Sequence, residues 1–313
     1  MRKLIYNKYG DERVLELQEQ PVPTIKENGL LIRVKAGSIN PLDWKIYRGE
    51  MKLMSGSKFP KSVGIDFSGI VEKTGILVTR FKRGDEVFGL LNVFKGGALA
   101  DYVAVDESNV SRKPGSLSFA QAAALPVTGL AALQIIDGLA AVGHNKDVLI
   151  NGATGGVGMF AVQIAKRRDA SITAVVSTEG IPLAAKWGAG TVVDYTKQDV
   201  RLAGKRYDAV IDLSGKLPFK AAKGLMKSKA VYISTLPSPV ALISSFFNNL
   251  FSSQKQKILL LKPAQEGLDT LADLAEDKME VLVDKVYSIN NAREAYREAS
   301  VAKIKGKSVI VLD

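Results

Sequence analysis

The stretch that decides the fold is DVLINGATGGVG, which runs from Asp147 to Gly158. Val148–Ile150 predict a buried strand that leads directly into a turn with four glycines. A helical pattern of apolar residues follows from Met159 to Ala165. In this context, backbone N–H groups at a helix N-terminus can hold a dinucleotide pyrophosphate. The spacing is G-x-x-G-x-x-G rather than G-x-G-x-x-G, so a tight strand-to-helix turn without a nucleotide is the alternative interpretation.

The composition excludes several kinds of site. The 313 residues include no cysteine and a single histidine, His144. Disulfides, thiolate zinc sites, iron–sulfur clusters and cysteine nucleophiles are therefore excluded, and a histidine-rich metal site is implausible. His144 lies in the polar sequence GHNKD just before the Asp147 strand, where we expect a surface loop.

The net charge of +11 is compatible with nucleic acid, an anionic membrane surface or a phosphate-rich cofactor. Lysines and arginines are scattered, however, and no basic run is interleaved with aromatic residues, so a generally basic surface is the preferred interpretation. No apolar run approaches the roughly 20 residues of a membrane span. The N-terminal sequence MRKLIYNKYGDE has no apolar core of a secretory signal, and we expect a cytoplasmic protein.

The first 120 residues read as β-rich, and the segment from Asp147 onward alternates strands with helices. Short strands separated by glycine turns, such as Leu30–Lys35 and Glu86–Leu91, indicate a partly closed barrel. The alternation later in the chain indicates an α/β fold with a doubly wound parallel sheet. Between them, Phe119–Gly138 has helical spacing that Pro126 should break. The segment Val240–Leu261 stays open as a mobile helix, a subunit contact or a lid.

A series of motifs in order makes the chain resemble one family. The motifs are VKAGSINPLDWK (Val34–Lys45), VGIDFSGIV (Val63–Val71), FKRGDEVFGL (Phe81–Leu90), GGALADYVAV (Gly96–Val105), LPVTGLAAL (Leu125–Leu133), INGATGGVG, WGAGTVVDY (Trp187–Tyr195) and KIKGKSVIVL (Lys303–Leu312). Together they resemble the medium-chain dehydrogenase/reductase superfamily, and within it the zinc-independent quinone oxidoreductase and enone reductase group. The resemblance implies a GroES-like β-barrel catalytic domain (residues 1–120 and 260–313) and a Rossmann nucleotide-binding domain (residues 121–259).

Departures from the zinc-dependent members of this superfamily bear on the chemistry. Those members place a cysteine near the position of Asn40 and a Gly-His-Glu near Gly64-Ile65-Asp66, and this chain has neither. We therefore expect no catalytic zinc and no other metal. Without a Lewis acid, the feasible reaction is reduction of a C=C bond or quinone whose electron sink is built into the substrate.

By the same resemblance, the segment NPLDWKIYR after a barrel strand lines the nicotinamide end of the site. Asn40 would hydrogen-bond near the nicotinamide ribose or the substrate, and Lys45 or Tyr47 would donate to the substrate oxygen. Thr128 in LPVTGLAAL would reach the nicotinamide end through its hydroxyl. The alternative for each is a residue satisfied by its own neighbours, and Asp66 may equally be structural.

The end of the second Rossmann strand determines the choice of cofactor. An acidic residue there would bind the ribose 2′-hydroxyl of NAD, whereas this chain has Ser177 and Thr178, which suit a 2′-phosphate. We therefore predict NADPH, although Glu179 lies close by and the first basic residue after Ser177 is Lys186. The predicted cofactor-binding residues are Asn40, Thr128, Gly152, Ala153, Thr154, Gly155, Gly156, Val157, Gly158, Ser177, Thr178, Tyr195, Leu213, Ser234, Leu236 and Lys305.

The sequence therefore predicts an NADPH-dependent reductase of quinones or α,β-unsaturated carbonyls that works without metal. Alternatives are a reductase of enoyl thioesters or haloacrylates, and a low-turnover NADPH-binding protein of the zeta-crystallin type with a structural or RNA-binding role. The expected partner is a small-molecule quinone or enone, with no nucleic acid, no transmembrane segment and a homodimer implied by the resemblance.

Overall fold

The computed structural model describes residues 1–236, 239–302 and 304–312, with the backbone alone at residues 239–241. Its strands are β1 (Arg2–Tyr6), β2 (Glu16–Glu19), β3 (Gly29–Ser38), β4 (Lys61–Ser62), β5 (Asp66–Thr74), β6 (Glu86–Leu90), β7 (Tyr102–Asp106), β8 (Val110–Arg112), β9 (Asp147–Asn151), β10 (Ser171–Val176), β11 (Thr191–Asp194), β12 (Tyr207–Asp212), β13 (Met226–Ser234), β14 (Lys255–Ile258), β15 (Val283–Ser288) and β16 (Lys307–Val311). Its α-helices are α1 (Pro41–Tyr47), α2 (Lys52–Ser55), α3 (Phe119–Ala123), α4 (Pro126–Leu133), α5 (Gly156–Arg167), α6 (Ile181–Lys186), α7 (Phe219–Ala222), α8 (Pro239–Phe251), α9 (Gln265–Glu276) and α10 (Ala292–Val301).

The chain divides into two compact units, residues 1–130 with 263–313 and residues 131–262. Residue 313 lies outside the described residues. The predicted domain boundaries at residues 120 and 260 stay a prediction.

The first unit is built on β-sheets. A seven-stranded sheet has the order β15-β16-β3-β5-β6-β8, and β7 also pairs with β3. The late strand β16 pairs antiparallel with β3, so a segment distant in sequence completes the sheet around the first long strand. Alternate residues of β3, such as Leu30, Ile32 and Val34, are buried, as expected for a strand with one face on the core.

The second unit is a six-stranded parallel sheet with the order β11-β10-β9-β12-β13-β14. The first strand, β9, lies at the centre, and the chain returns to its other side at β12. Ligands bind such sheets outside the carboxyl ends of the strands at this switch point. The residues that follow β9 and β12 are therefore the ones to inspect for a site.

Most predicted elements are confirmed, and three segments are informative. NPLDWK, for which no helix was predicted, forms α1, with Asn40 as the residue before its first turn and proline at the first helical position. Pro126 does break the helical segment, and it does so by starting α4. The open segment Val240–Leu261 contains most of α8 and all of β14.

Among the residues described, none forms a helix long and apolar enough to cross a bilayer.

Candidate functional site

The glycine turn between β9 and α5 has the geometry that a bound pyrophosphate requires. Gly152 adopts a φ of 86°, which favours glycine, and Gly155 precedes the first turn of α5. The first intrahelical hydrogen bond of α5 runs from the Met159 N–H to the Gly155 carbonyl at 2.9 Å. The N–H groups of residues 156–158 therefore have no acceptor within the helix. A twelve-residue helix therefore begins with N–H groups available to an anion.

Gly158 permits the helix to lie directly against the turn. A Cβ atom at this position would lie 2.3 Å from the Gly152 carbonyl oxygen, a distance that real Cβ atoms do not show. Any side chain would therefore push α5 away from β9. Ala153 is fully buried, and its N–H donates to the Val175 carbonyl at 3.3 Å, so it shapes the turn from within. Thr154, Gly155, Gly156 and Val157 are only partly buried.

The predicted contacts from later strands lie at the same edge of the sheet. In the register of the sheet, Asn151 of β9 lies opposite Asp212 of β12, and Asp212 lies opposite Ser234 of β13. Leu213 follows β12 and Leu236 follows β13, and the Leu236 N–H donates to the Ser234 hydroxyl at 3.2 Å. The structure thus brings the glycine turn, Leu213, Ser234 and Leu236 to one edge.

Asp212 organises this edge, and the sequence prediction missed it. Its carboxylate is 1% exposed and accepts from the Asn151 amide at 3.0 Å. It also accepts from the backbone N–H groups of Ser214, Gly215 and Leu217, at 3.0 to 3.1 Å. The loop after β12 is therefore wrapped around one buried carboxylate. A buried acid at the end of an apolar strand was the signal in the sequence.

Ser177 and Thr178 follow β10 and lie near Asp194, which ends β11. The Thr178 hydroxyl donates to Asp194 at 2.5 Å, and the Thr196 N–H donates to Asp194 at 2.9 Å. The Thr178 and Thr196 hydroxyls, as hydrogen-bond donors, hold the pKa of Asp194 below its usual value. Tyr195, the predicted adenosine-phosphate residue, is 46% exposed between them.

A basic residue absent from the predicted site lies at the same place. The Lys197 ammonium is 3.8 Å from the Asp194 carboxylate, which accepts from Thr178, and its side chain is 69% exposed. The prediction searched for a lysine or arginine shortly after Ser177. The register of the sheet, with Val176 opposite Asp194, instead delivers the cation from the loop after β11. Only the pairing of two parallel strands could reveal this.

In the first unit, the residues around α1 form a buried polar network centred on Asp66. This carboxylate is fully buried and accepts from the Ser38 hydroxyl at 2.6 Å and the Asn40 amide at 2.8 Å. Its other oxygen accepts from the Val127 N–H at the start of α4, at 2.9 Å. The Lys307 ammonium donates to the Asn40 side-chain carbonyl at 2.6 Å and lies 3.9 Å from Asp66.

A second carboxylate, Asp43, extends this network. It accepts from the Asn40 N–H at 2.8 Å and from the Tyr296 hydroxyl at 3.1 Å. Burial raises the pKa of Asp43 to about 7, and burial also raises the pKa of Asp66. Burial lowers the pKa of Lys307, opposed by the attraction of both carboxylates. We therefore describe the network as one ammonium shared by two carboxylates, and burial favours the protonated form of both.

Asn40 is a central member of this network. One of its side-chain N–H groups donates to Asp66 and its side-chain carbonyl accepts from Lys307, and the residue is 2% exposed. The predicted hydrogen bond from Asn40 to a ribose or a substrate stays a prediction, and the second N–H of the amide is the group that could make it. Asp66 occupies a structural position, which was one of the two interpretations left open.

Tyr47 requires correction. It is fully buried in the core of the first unit, and its ring meets that of Tyr296 edge-on at 5.7 Å between centroids. Burial raises the pKa of the Tyr47 phenol, and among the described residues its hydroxyl has no hydrogen-bond partner. A donor enclosed on all sides cannot reach a substrate oxygen.

The remaining predictions for the nicotinamide end have mixed outcomes. Thr128 is buried, and its hydroxyl donates to the Ala124 carbonyl at 2.8 Å, so this proton is already used. Lys45 is half-buried on α1, and among the described residues its ammonium has no hydrogen-bond or ion-pair partner. Lys305 is half-buried, whereas Lys307 is the lysine that enters the polar network.

Within residues 1–236, 239–302 and 304–312, no group of three or more His, Asp or Glu side chains is arranged to hold a metal ion.

Comparisons with known proteins match both parts of the chain. Residues 26–115 match the family of alcohol dehydrogenase GroES-like domains, and residues 187–310 match the family of zinc-binding dehydrogenases. The chloroplast envelope quinone oxidoreductase homolog of Arabidopsis thaliana is 34% identical over 322 residues, which cover 99% of this chain and 98% of that protein. The chloroplastic NADPH-dependent alkenal/one oxidoreductase of Arabidopsis thaliana is 36% identical over 227 residues, which cover 69% of this chain and 58% of that protein.

A solved structure gives the same result. The quinone oxidoreductase from Coxiella burnetii superposes with a TM-score of 0.91 at 28% identity, covering 100% of this chain and 99% of that chain. The predicted fold class, a GroES-like domain with a Rossmann domain, is therefore confirmed. With both family matches in place and relatives of this identity aligned along its whole length, the chain belongs to the medium-chain dehydrogenase/reductase superfamily, in its quinone oxidoreductase group.

Proposed function

We propose that this chain is an NADPH-dependent reductase that delivers a hydride to quinones or to the activated C=C bond of α,β-unsaturated carbonyls, without a metal. The observation that carries the proposal is the glycine turn, where Gly158 leaves no room for a Cβ atom and α5 begins with available N–H groups. The relatives named as a quinone oxidoreductase homolog and an alkenal/one oxidoreductase support this substrate class.

The residues present fit a dinucleotide in the second unit. Backbone N–H groups of Gly156 and Val157 would hold the pyrophosphate, since the Gly155 N–H already donates to the Gly152 carbonyl at 3.2 Å, and the edge formed by Leu213 and Ser234 would border the cofactor. When bound, NADPH would supply the hydride to the β-carbon of the substrate, the π electrons of the C=C bond would move onto the carbonyl oxygen, and a proton taken up at the α-carbon would complete the reduction. A donor is then needed at the substrate oxygen, and Lys45 is the candidate that remains on α1.

Metal independence is proposed from the amino acids themselves. The chain has no cysteine and one histidine, and His144 is exposed in a turn before β9. The thiolate and imidazole ligands that zinc prefers are therefore lacking in the sequence. Polarisation of a simple alcohol has no candidate group here, whereas a quinone or enone is already activated.

We propose NADPH rather than NADH on the charges near the end of β10. Ser177 and Thr178 take the place of the acidic residue that binds a ribose, and Lys197 places a cation next to them. The test measures dissociation constants for both cofactors in Ser177→Asp and Lys197→Glu. Each should weaken NADPH binding by about tenfold, because a charge-assisted hydrogen bond contributes about 1.5–3 kcal/mol. NADH binding should change little.

Lys82→Glu is the matched control, because it reverses an exposed lysine in the other unit. Equal weakening of both cofactors by Lys197→Glu would mean that Lys197 is not near the 2′-phosphate. If all variants bind as the original chain does, the 2′-phosphate is recognised elsewhere.

The reaction itself is tested by following NADPH absorbance with a naphthoquinone, an alkenal and crotonyl-CoA. Turnover of the first two supports the proposal, and turnover of crotonyl-CoA alone would move the substrate class to enoyl thioesters. No turnover at all, combined with salt-sensitive retention on RNA, would favour the low-turnover alternative.

A homodimer and a cytoplasmic location also remain proposals. The homodimer rests on the resemblance to the superfamily, because the outer edge of β14 is occupied at Gln256, whose backbone N–H and carbonyl both bond to the Asn249 side chain. Sedimentation of the purified chain tests the first proposal, and fractionation of the source cells tests the second.

A further inference from the structure

The helix α8 has its polar side toward the protein and its apolar side toward solvent. The polar side is anchored: the Asn248 amide donates to the Gln254 carbonyl at 3.2 Å, and the Asn249 amide donates to the Gln256 carbonyl at 2.8 Å. The Asn249 side-chain oxygen also accepts from the Gln256 N–H at 2.7 Å. These bonds fix the rotation of the helix, so its exposed side is set by the fold.

Six large apolar residues occupy the exposed side of α8. They recur at helical spacing and therefore form one continuous face: Leu242 (42% exposed), Ile243 (60%), Phe246 (63%), Phe247 (56%), Leu250 (60%) and Phe251 (87%). We call this set the apolar face of α8. Scattered exposed apolar residues are ordinary, but a contiguous face of this kind marks a surface that binds something.

The sequence that surrounds this helix carries positive charges only. From Leu213 to Lys262 the sequence contains eight lysines and no aspartate or glutamate, so this stretch carries most of the net charge of +11. Seven of the eight lysines are exposed: Lys216, Lys220, Lys223, Lys229, Lys255, Lys257 and Lys262. The eighth, Lys227, is paired with Asp147 and Asp208.

Two of these lysines are on β14, which packs against α8. The Lys255 ammonium donates to the Asn249 carbonyl of α8 at 2.7 Å, and the Lys257 ammonium donates to the Leu139 carbonyl at 2.8 Å. Gln254 links the same end of the helix to the carbonyls of Met226 and Lys227. Exposed phenylalanines and aliphatic residues with lysines around them are the composition of helices that lie in a membrane interface.

We propose that the apolar face of α8 and the surrounding lysines dock this protein onto a bilayer that contains anionic phospholipid. The thirteen-residue helix would be about 20 Å long, which is shorter than the roughly 30 Å hydrocarbon core, so it lies along the surface rather than across it. The aromatic and aliphatic side chains enter the boundary between headgroups and acyl chains. The lysines face anionic headgroups.

A second copy of this chain fits the same surface less well. A two-fold interface places a patch against itself, so Lys255 and Lys257 would approach their own copies. The stretch from Leu213 to Lys262 offers no acidic side chain to pair with them. An anionic lipid surface supplies the missing negative charge. A homodimer formed through the apolar face of α8 is therefore the alternative that the experiment tests.

The consequence for substrate rests on the proposed function. A quinone reductase held at a bilayer surface would meet acceptors that are dissolved in lipid, including quinones with long apolar tails. Docking is measured without NADPH or any acceptor, so failure of docking and failure of the proposed reaction are separate results.

The experiment measures co-sedimentation of the full chain with large vesicles of phosphatidylcholine alone, or of phosphatidylcholine and phosphatidylglycerol at roughly 3:1. The original chain should pellet with the anionic vesicles and much less with the neutral ones. Binding should fall at least about fivefold between about 50 and about 300 mM NaCl, because salt screens exposed charges.

Two variants separate the apolar and the electrostatic contributions. Phe246→Asp with Phe247→Asp should reduce vesicle binding by about tenfold or more, since both rings would leave the interface. Lys255→Glu with Lys257→Glu should reduce binding to anionic vesicles only. The matched controls are Leu53→Asp, an apolar residue that is 96% exposed elsewhere, and Lys82→Glu. Thermal melting monitored by circular dichroism checks that each variant is folded.

Three results would overturn the proposal. The original chain does not pellet with anionic vesicles, or the double phenylalanine variant pellets as well as Leu53→Asp does. The third is a particle mass, measured by light scattering, that halves in the phenylalanine variant while the original chain leaves vesicles unbound. In that case a second copy covers the apolar face of α8.

Discussion

Replacing Lys307 with methionine removes the ammonium that two buried carboxylates share. Methionine keeps most of the length of the side chain, so the main loss is charge and hydrogen bonding rather than volume. Asp66 then remains fully buried without its cation, and the carbonyls of Asn40 and Ile39 lose the donor that lies 2.6 and 2.8 Å away.

The expected loss of unfolding free energy in Lys307→Met is about 3–5 kcal/mol at pH 7.5, the usual cost of leaving one member of a buried ion pair alone. The loss depends on pH in a definite direction. Burial already raises the pKa of Asp66, and removal of Lys307 raises this pKa further. A carboxyl whose pKa is raised on folding destabilises the protein as pH rises above its unfolded value of about 3.9. The loss should therefore shrink toward pH 4–5.

The assay is urea unfolding followed by tryptophan fluorescence. The chain has two tryptophans, Trp44 in the first unit and Trp187 in the second. A Trp187→Phe background therefore leaves a single reporter in the unit that contains Lys307. The matched control is Lys305→Met, two residues earlier and outside the buried network, for which we expect less than about 1 kcal/mol.

A double variant tests whether the charge pair is the cause. Lys307→Met with Asp66→Asn removes both charges and should recover about 2 kcal/mol or more relative to Lys307→Met alone. If Lys307→Met costs no more than Lys305→Met, or if the cost does not change with pH, the account of a shared ammonium is wrong. A double variant with a lower free energy of unfolding than either single variant would also contradict it.

Four further outcomes follow from the structure. Gly158→Ala should weaken NADPH binding by about tenfold or more, because its Cβ would collide with the Gly152 carbonyl and displace α5, whereas Gly143→Ala, where the space is open, should not; calorimetry measures both. Asp43→Asn should flatten the fall of stability with rising pH, which in the original chain is up to about 1.4 kcal/mol per pH unit between about pH 4 and 7; denaturation at several pH values tests this. Tyr47→Phe should leave turnover unchanged and raise the free energy of unfolding by about 1 kcal/mol, since a buried hydroxyl without a partner is lost; lower turnover would return Tyr47 to the catalytic candidates. Exhaustive chelation should leave quinone reduction unchanged, and inhibition reversed by zinc would contradict metal independence.

The elements of the second unit could be predicted because their signals are local. Ser171–Val176 is an apolar run bounded by turn residues, and the structure has β10 over the same residues. The strand, glycine turn and helix around Gly158 were likewise given by adjacent residues. Local periodicity and turn chemistry suffice for such elements because each is a short apolar run whose signal lies within its own residues.

The polar network of the first unit could not be predicted in this way. Asn40 and Lys307 are 267 residues apart, so no window of sequence contains both. Asn40 was assigned to the cofactor by resemblance to the family, and only the tertiary structure shows that its side chain also bonds to Asp66 and Lys307. Lys305 and Lys307 look alike in KIKGK, and only the pairing of β16 with β3 decides which of them is enclosed.

The role of α8 was left open for a related reason. An amphipathic helix usually turns its apolar side toward the core, and a sequence cannot say that Asn248 and Asn249 are the residues that bond to the protein. Hydrogen bonds to the backbone of the adjacent strand reverse the usual orientation.

The pairing of β16 with β3 also has a consequence for biosynthesis. Asp66 lies on β5, which is translated early, whereas its counter-cation Lys307 lies on β16, which is translated late. A nascent chain on the ribosome thus cannot neutralise this carboxylate until the intervening unit, residues 131–262, has emerged. The parallel sheet, which is formed by one continuous segment of the chain, can fold first. The β-rich unit stays incomplete until β16 has been synthesised.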